Sequence, residues 1–213
     1  MFGRARWRLV IPVKDTRIAK SRLQPPAPLS RPDLARAIAL DTLEAVCRGL
    51  APADVLVVTS DTSVTEDAAQ RGCTVVTDPG EGLNRAIRVG LAHVDGPGTA
   101  LAVLLGDLPA LRAEDLLAAL DACARYPRAV IPDHNGSGTV LLTGSPGLPP
   151  LPRFGSGSAA RHAEEAVLLT PDLPRLRQDV DDLDDLTAAA RLGVGPRTAR
   201  VLAEAASRRG PST

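Results

Sequence analysis

Lysine is almost missing from this chain of 213 residues: among 25 basic residues only Lys14 and Lys20 are lysines, and both lie in one short segment. Two lysines placed together in a chain that otherwise uses arginine mark that segment as a functional candidate. An excess of either charge is missing too. Lys+Arg and Asp+Glu number 25 each, so no broad positive field exists to hold nucleic acid, and any charged site must be local. Cysteine is scarce: Cys47, Cys73 and Cys123 are odd in number, widely spaced and without a C-x-x-C pattern. Neither a disulfide framework nor a zinc site is indicated by that pattern, which reads as buried free thiols. The longest wholly apolar run, Ala100 to Leu105, is far below the ~20 residues of a membrane span and suits a strand. No apolar stretch follows the basic residues before Leu9, so no signal peptide is read and a cytoplasmic location is expected. Neither a G-x-S-x-G elbow nor a Walker A motif occurs, and His93, His134 and His162 show no metal-ligand spacing.

What is present has the size and the 44% hydrophobic content of one domain, expected over 1–208, with 209–213 as a frayed tail. Apolar runs of strand length alternate with segments of helical period, the signature of β-α units on a mostly parallel sheet. The spacing predicts strands at Arg8–Val13, Val55–Ser60, Cys73–Thr77 and Ala100–Leu105. Helices are predicted from Ser30 as N-cap to about Gly49, over Ser63–Arg71, from Leu83 to about Val94, and over Arg112–Arg125. Later come two short strands, Val130–Asp133 and Thr139–Thr143, a loop at 145–152, a helix from Ala159 to Glu165, and a helical stretch from Asp184 to Arg208.

Three groups of residues carry possible chemistry. Leu104-Leu-Gly-Asp-Leu-Pro-Ala110 puts Asp107 at the carboxyl end of a central strand, where open α/β sheets bind ligands. An Asx-type turn before Pro109 explains the same aspartate without function. Asp179-Val-Asp181 carries carboxylates at i and i+2, which an extended chain projects to one side, where they repel. Its ordinary alternative is an acidic helix-opening stretch, continued by Asp182, Asp184 and Asp185. If Asp179 and Asp181 approach Asp107, a hard divalent cation such as magnesium keeps all three ionised. Phe154-Gly-Ser-Gly-Ser158, running into a helix, offers backbone N–H groups to an anion, with Ser158 and Arg161 beside them. Gly136-Ser-Gly-Thr139 is a second tight turn, and Lys14, Lys20 and Arg22 lie on the loop after the first strand.

Taken together, Ile11-Pro-Val-Lys14 with Ala19-Lys-Ser-Arg-Leu23, Gly82-Leu-Asn84, Leu105-Gly-Asp-Leu-Pro109, Ile131-Pro-Asp133 with Gly136-Ser-Gly-Thr139, Phe154-Gly-Ser-Gly-Ser158 with His162, and Asp179-Val-Asp181 resemble a known family. It is that of the phosphoenolpyruvate or 2-phospho-L-lactate guanylyltransferases of coenzyme F420 biosynthesis. The resemblance implies an α/β, three-layer α/β/α Rossmann-like nucleotidyltransferase fold with a mixed, mostly parallel central sheet. It implies transfer of GMP from GTP to a phosphorylated three-carbon acid, with Asp107, Asp179 and Asp181 as Mg2+ ligands and Lys20 beside them in catalysis. It further implies Thr139, Gly155 and Ser158 as binders of the acid, Lys14, Lys20 and Arg22 facing the GTP phosphates, and Gly82 and Asn84 near the nucleotide. Two departures stand out: Ser137 and Asp182 occupy positions where the family pattern has threonine. A molybdopterin or sugar-phosphate nucleotidyltransferase is the nearest rival, but its Gly-rich loop after the first strand is absent. A catalytically silent GTP-binding module is the rival from another class, and the three aspartates argue against it. No nucleic-acid or membrane partner is expected, and oligomeric state stays open. Phosphoenolpyruvate is the favoured acceptor over 2-phospho-L-lactate and 3-phosphoglycerate because the composition looks actinobacterial.

Overall fold

The computed structural model describes residues 6–208 except 18, 21, 26, 95 and 97, so the expected tail 209–213 lies outside the described residues. Strands β1 (Trp7–Val13), β2 (Val55–Thr59), β3 (Thr74–Thr77) and β4 (Ala100–Leu104) run parallel, β1 lying between β2 and β4. Every residue of β2 and β4 is buried. Cover on both faces is why these strands read as unbroken apolar runs rather than as alternation. Strands β5 (Arg128–Pro132) and β6 (Thr139–Gly144) pair antiparallel, and β6 is the one that lies beside β4. A two-residue strand β7 (Val167–Leu168), too short for any periodicity to show, completes the order β3-β2-β1-β4-β6-β5-β7. The sheet is therefore mixed, with β6 as the one strand opposed to its neighbours.

Helices cover both faces. On one face α1 (Arg31–Gly49), α2 (Thr62–Arg71) and α4 (Ala113–Cys123) bury Leu43, Val46, Ala68 and Leu116 against Leu9, Ile11, Val57 and Ala102. On the other, α3 (Leu83–Val94) buries Ile87, Leu91 and Val94 against Val10, Leu56, Val58 and Val103. Leu9 and Ile11 point to one layer and Val10 to the other, as a period of two requires. Local chemistry fixes the helix ends: the Asp61 carboxylate accepts the Val64 amide at 3.1 Å to open α2, and Gly72, at φ 87°, ends it as expected. Helix α5 (Ser158–Ala163) and the single turn α6 (Pro174–Arg177) follow β6 and β7 respectively. No helix among the described residues is long and apolar enough to cross a membrane.

The expected helical stretch from Asp184 to Arg208 is in fact two helices, α7 (Leu183–Leu192) and α8 (Pro196–Arg208). Gly193 adopts φ 89° and breaks the run. The buried Asp41 carboxylate of α1 then occupies the space a side chain at 195 would need, and accepts the amides of Arg197 at 3.1 Å and Thr198 at 2.7 Å. A carboxylate from α1 thus caps α8, which no local reading of the C-terminal sequence contains. The second departure from the family pattern has a similar local reason: Asp182 is the N-cap of α7 and forms a reciprocal capping box with Asp185.

Helix α3 lies against the sheet without room to spare at Gly90, where a Cβ would stand 2.5 Å from Val10 Cγ1 and 2.8 Å from Val58 Cγ2. Both valines are β-branched and held in the sheet, so neither yields easily. Gly90→Val is expected to lower stability by ~2–3 kcal/mol despite valine's better helix propensity, measurable by urea denaturation. An unchanged midpoint would mean that α3 rides further from the sheet than this packing implies.

Candidate active site

The site begins where two strands part. Strand β1 stays in register with β2 up to Val13 and Thr59, but its ladder with β4 ends at Val10 and Val103. Pro12 has no N–H to give a neighbouring strand, and beyond Leu104 the chain bonds to β6 instead, through Leu105 N to Val140 O at 3.1 Å. The strand order reverses here, at the switch point between β1 and β4, and a crevice opens at the carboxyl ends. A cleft of about 690 Å³ fills it. Its walls include Lys14 and Lys20 from the loop after β1, Ala35 and Ala39 of α1, Asp78 and Gly82 ahead of α3, and Asp107 and Asp181. The loop after β1 is pinned by Asp61, whose carboxylate accepts the Thr16 amide at 3.0 Å and the Thr16 hydroxyl. Burial opposes the charge on Asp61, but these bonds and that of Val64 outweigh it and hold its pKa below the ordinary value.

Asp107 leaves the end of β4 into this cleft. The Leu108 amide is taken by the Thr42 hydroxyl at 3.0 Å, and Pro109 has no N–H, so an Asx turn does not explain Asp107. Its backbone carbonyl accepts the Val180 amide at 3.2 Å, which brings the 179–181 segment alongside. The Lys20 ammonium donates to Asp107 Oδ2 at 2.7 Å and to Asp181 Oδ1 at 3.2 Å. Burial would lower the Lys20 pKa, yet the two carboxylates more than compensate and raise it, so the ammonium stays charged. Asp179 lies deeper. Burial, then the charges of Asp107, Asp133 and Asp181, push its carboxyl up to about 8, with Lys20 pulling the other way.

Among the described residues no three carboxylate, histidine or cysteine side chains form a ready-made metal shell. The mutual repulsion expected of the aspartates is relieved between Asp107 and Asp181 by Lys20. The donor set still suits a hard cation. Asp107 Oδ1 is buried without a hydrogen-bond partner, and Asp179 sits among carboxylates whose repulsion either a bound proton or a cation relieves.

A second cluster lies beside the first. Thr139, Ser158 and His162 are all buried, with Ser158 Oγ donating to Thr139 Oγ1 at 3.1 Å and His162 Nδ1 2.9 Å from the same oxygen. The Arg153 amide donates to His162 Nε2 at 2.9 Å, so Nε2 carries no proton and Nδ1–H is the donor to threonine. The Thr139 hydroxyl accepts twice and keeps its own proton to give. Gly155 and Gly157, at φ 129° and 68°, shape the turn into α5. Asn84 clasps this turn from α3: its amide oxygen accepts the Phe154 N–H at 2.7 Å and its amide nitrogen donates to the Phe154 carbonyl at 3.0 Å.

The fold thus gathers Lys20, Asp107 and Asp181 in the cleft wall, with Asp179 close to them and Thr139, Gly155 and Ser158 in the second cluster, these last four not among the residues that line the cleft. Lys14 and Gly82 line the cleft, whereas Arg22 is exposed and is not among the residues lining it. Asn84 holds a loop instead of presenting its amide to the cleft. Sequence reasoning missed Asp133, which accepts the amides of Ser137 at 2.9 Å and Gly138 at 2.7 Å and so shapes the turn before Thr139. An aspartate opening a Gly-rich turn was the available signal. Because the bonds run through the backbone of 137, serine in place of threonine there costs the turn nothing. His134, 3.6 Å from Asp179 and 3.7 Å from Asp185, was also passed over, since only the fold brings those carboxylates to it.

His162 generates a test of pH dependence. Burial, then Arg161 and Arg153, lower its pKa to about 4, whereas an unfolded histidine titrates near ~6.5. The neutral ring therefore contributes stability that is complete above ~6.5 and is lost as the pH falls towards 4. Wild-type protein is expected to lose ~2 kcal/mol between pH 7.5 and 5 that His162→Gln does not lose. Urea denaturation of both at each pH checks this, and equal slopes would refute the assignment.

Three comparisons complete the picture. The family described as guanylyl transferase CofC like matches residues 7–186. The chain is 48% identical over 211 residues to a phosphoenolpyruvate guanylyltransferase of Salinispora arenicola, covering 97% of this chain and 98% of that protein. A second phosphoenolpyruvate guanylyltransferase, from Streptomyces coelicolor, is 48% identical over 203 residues, with 92% and 96% covered. Among solved structures, a cytidylyltransferase from Leptospira borgpetersenii superposes with a TM-score of 0.57 at 13% identity, over 98% of both chains. The 4-diphosphocytidyl-2C-methyl-D-erythritol synthase of Anaerococcus prevotii gives 0.57 at 11% identity, over 88% of this chain and 96% of that one. At such identities they speak for the fold alone, and it is the Rossmann-like nucleotidyltransferase fold that the mixed sheet displays. With the match spanning both clusters of the site, the chain belongs to the CofC-like guanylyltransferase family.

Proposed function

We propose that this enzyme transfers GMP from GTP to phosphoenolpyruvate, or to 2-phospho-L-lactate, releasing pyrophosphate and supplying a guanosine diphosphate-linked acid for coenzyme F420 biosynthesis. The observation that carries this reading is 48% identity, over 97% of the chain, to a relative named phosphoenolpyruvate guanylyltransferase. A phosphate oxygen of the acid forms a bond to the α-phosphorus of GTP as the bond from that phosphorus to the β-phosphate bridge breaks, and the electron pair leaves with pyrophosphate. A phosphate monoester has its second pKa near ~6 and is largely dianionic at neutral pH, so the nucleophile needs no general base. That fits a site where His162 is buried and neutral.

The chain's own groups align and neutralise. Lys14 and Lys20 line the cleft on the side of the loop after β1, suited to the triphosphate. Thr139, Gly155 and Ser158 are assigned to the acid, with the Thr139 hydroxyl proton and the turn amides as donors. Nucleotidyltransferases generally use a divalent metal, and magnesium held by Asp107, Asp179 and Asp181 would supply charge neutralisation at the phosphates. The Lys20 ammonium, already between two of these aspartates, is the group placed to follow the charge as it shifts to the leaving group.

Pyrophosphate release on mixing GTP, magnesium and each candidate acid, with the product identified by mass, tests the function. Release with phosphoenolpyruvate or 2-phospho-L-lactate is expected, and none with either acid would sink it. Asp107→Asn is expected to cut kcat by ~100-fold or more with the fold intact by circular dichroism, and full turnover in that variant would remove Asp107 from the machinery.

Thr139→Val and Ser158→Ala are expected to raise KM for the acid roughly tenfold or more while moving KM for GTP far less, the loss of one hydrogen bond to a charged ligand. If only the GTP value moved, this half of the site would belong to the nucleotide.

A further inference from the structure

Cys47 and Cys73, scattered thiols in the sequence, are neighbours in the fold: their Sγ atoms are 3.4 Å apart. Cys47 lies in the last turn of α1, and Cys73 directly precedes β3, beyond the Gly72 that ends α2. A disulfide requires ~2.05 Å between the sulfurs, so closure asks for about 1.4 Å of movement, which side-chain torsion supplies. The two thiols differ in the way such chemistry uses. Cys47 is partly exposed and Cys73 buried. The Cys73 hydrogen bond and, against burial, the Arg71 guanidinium lower the Cys47 pKa, while the same hydrogen bond and burial raise that of Cys73. Arg71 is itself held by Asp67 of α2 and Glu44 of α1, whose charges act on Cys47 in the opposite sense. One thiol is set to attack an oxidant and the other to resolve the product. Cys123, fully buried on α4, has burial raising its pKa to about 11 and serves as an internal control.

We propose that Cys47 and Cys73 are a reversible oxidation site, closed by a two-electron oxidant of the peroxide class into a disulfide that ties α1 to the start of β3. The Cys47 thiolate attacks one peroxide oxygen, the O–O bond breaks, and hydroxide leaves to become water, giving a sulfenic acid. Cys73 Sγ, giving up its proton, attacks Cys47 Sγ, the S–O bond breaks, and the second oxygen leaves as water. Two thiols lose two electrons in all, and the peroxide is reduced to two waters. A dithiol reverses the step by exchange. Strand β3 is the outermost strand on its side of the sheet, with no residue fully buried, so a covalent tie there restrains the part of the sheet with least cover. Cys47 is about 12 Å along α1 from Ala39, the nearer of its two residues in the cleft wall, by helix rise, and neither cysteine is among the residues lining the cleft.

The full chain, reduced and then treated with hydrogen peroxide near stoichiometry, is digested without reduction and mapped by mass spectrometry. A Cys47–Cys73 cross-linked peptide should dominate, with Cys123 still open to alkylation after denaturation and dithiothreitol restoring all thiols. Melting temperature should rise by about 5 °C or more on oxidation, and Cys47→Ser and Cys73→Ser should each abolish both the cross-link and the rise. Sulfinic acid on Cys47 with Cys73 unbonded, or cross-links between chains, would overturn the proposal. So would a cross-linked form that melts no higher than the reduced one. The wild-type peptide map decides even if a variant fails to fold.

Discussion

Everything at the carboxyl edge of the sheet depends on β1 and β4 ceasing to be hydrogen-bonded partners after Val10 and Val103. Pro12 removes a donor from a central strand, a position where proline is otherwise excluded, and the strands separate within one residue pair of it. Gly106 lets the parted backbones stay close: a Cβ there would stand 3.3 Å from the Pro12 carbonyl and 2.9 Å from Val13 Cγ2. Asp107 follows directly, on a stretch of backbone, 107–109, that contacts reach from three directions. Thr42 of α1 holds the next amide, Val180 bonds its carbonyl, and Gly195 donates to the carbonyl of Pro109 at 2.8 Å. A single loop thereby gathers the helix before β2, the acidic segment and the C-terminal helices around one carboxylate.

Much of this was legible because burial writes itself into sequence. Strands covered on both sides must be apolar throughout, so β1, β2 and β4 show as runs, and Gly72 marks the end of α2 because only a left-handed residue turns the chain there. Asp107 could be singled out by its place after the most apolar run. What stayed hidden is non-local. The break at 193–195 has local signals in Gly193, Gly195 and Pro196, but the carboxylate that caps the next helix comes from Asp41 on α1, roughly 150 residues away along the chain. The His134 contacts and the Asn84 clasp likewise need partners that no window of sequence contains, whereas the Asp133 turn closes on Ser137 and Gly138 and was within local reach. Both rare lysines line the cleft, and Arg22 is not among the residues that line it.

Lys20 also departs from backbone habit. It is the non-glycine residue with positive φ, at 55°, among the described residues, and its carbonyl closes a turn onto the Leu23 amide at 2.9 Å. A left-handed lysine costs roughly 1 kcal/mol or more, which its two carboxylates offset. The ammonium is thus delivered to Asp107 and Asp181 by a conformation that a flexible loop would not hold unaided. Preorganisation of this kind places charge before any ligand arrives.

Asn84 carries a consequence of a different sort. It sits in the first turn of α3, just after Gly82 in the cleft wall, and both ends of its amide hold the backbone of Phe154 at the head of the turn that leads to Ser158. The position of α3 and that of the Gly155 turn are therefore fixed relative to each other by one amide. Two hydrogen bonds from one side chain thus join the start of α3 to the turn before α5, two pieces of chain 70 residues apart.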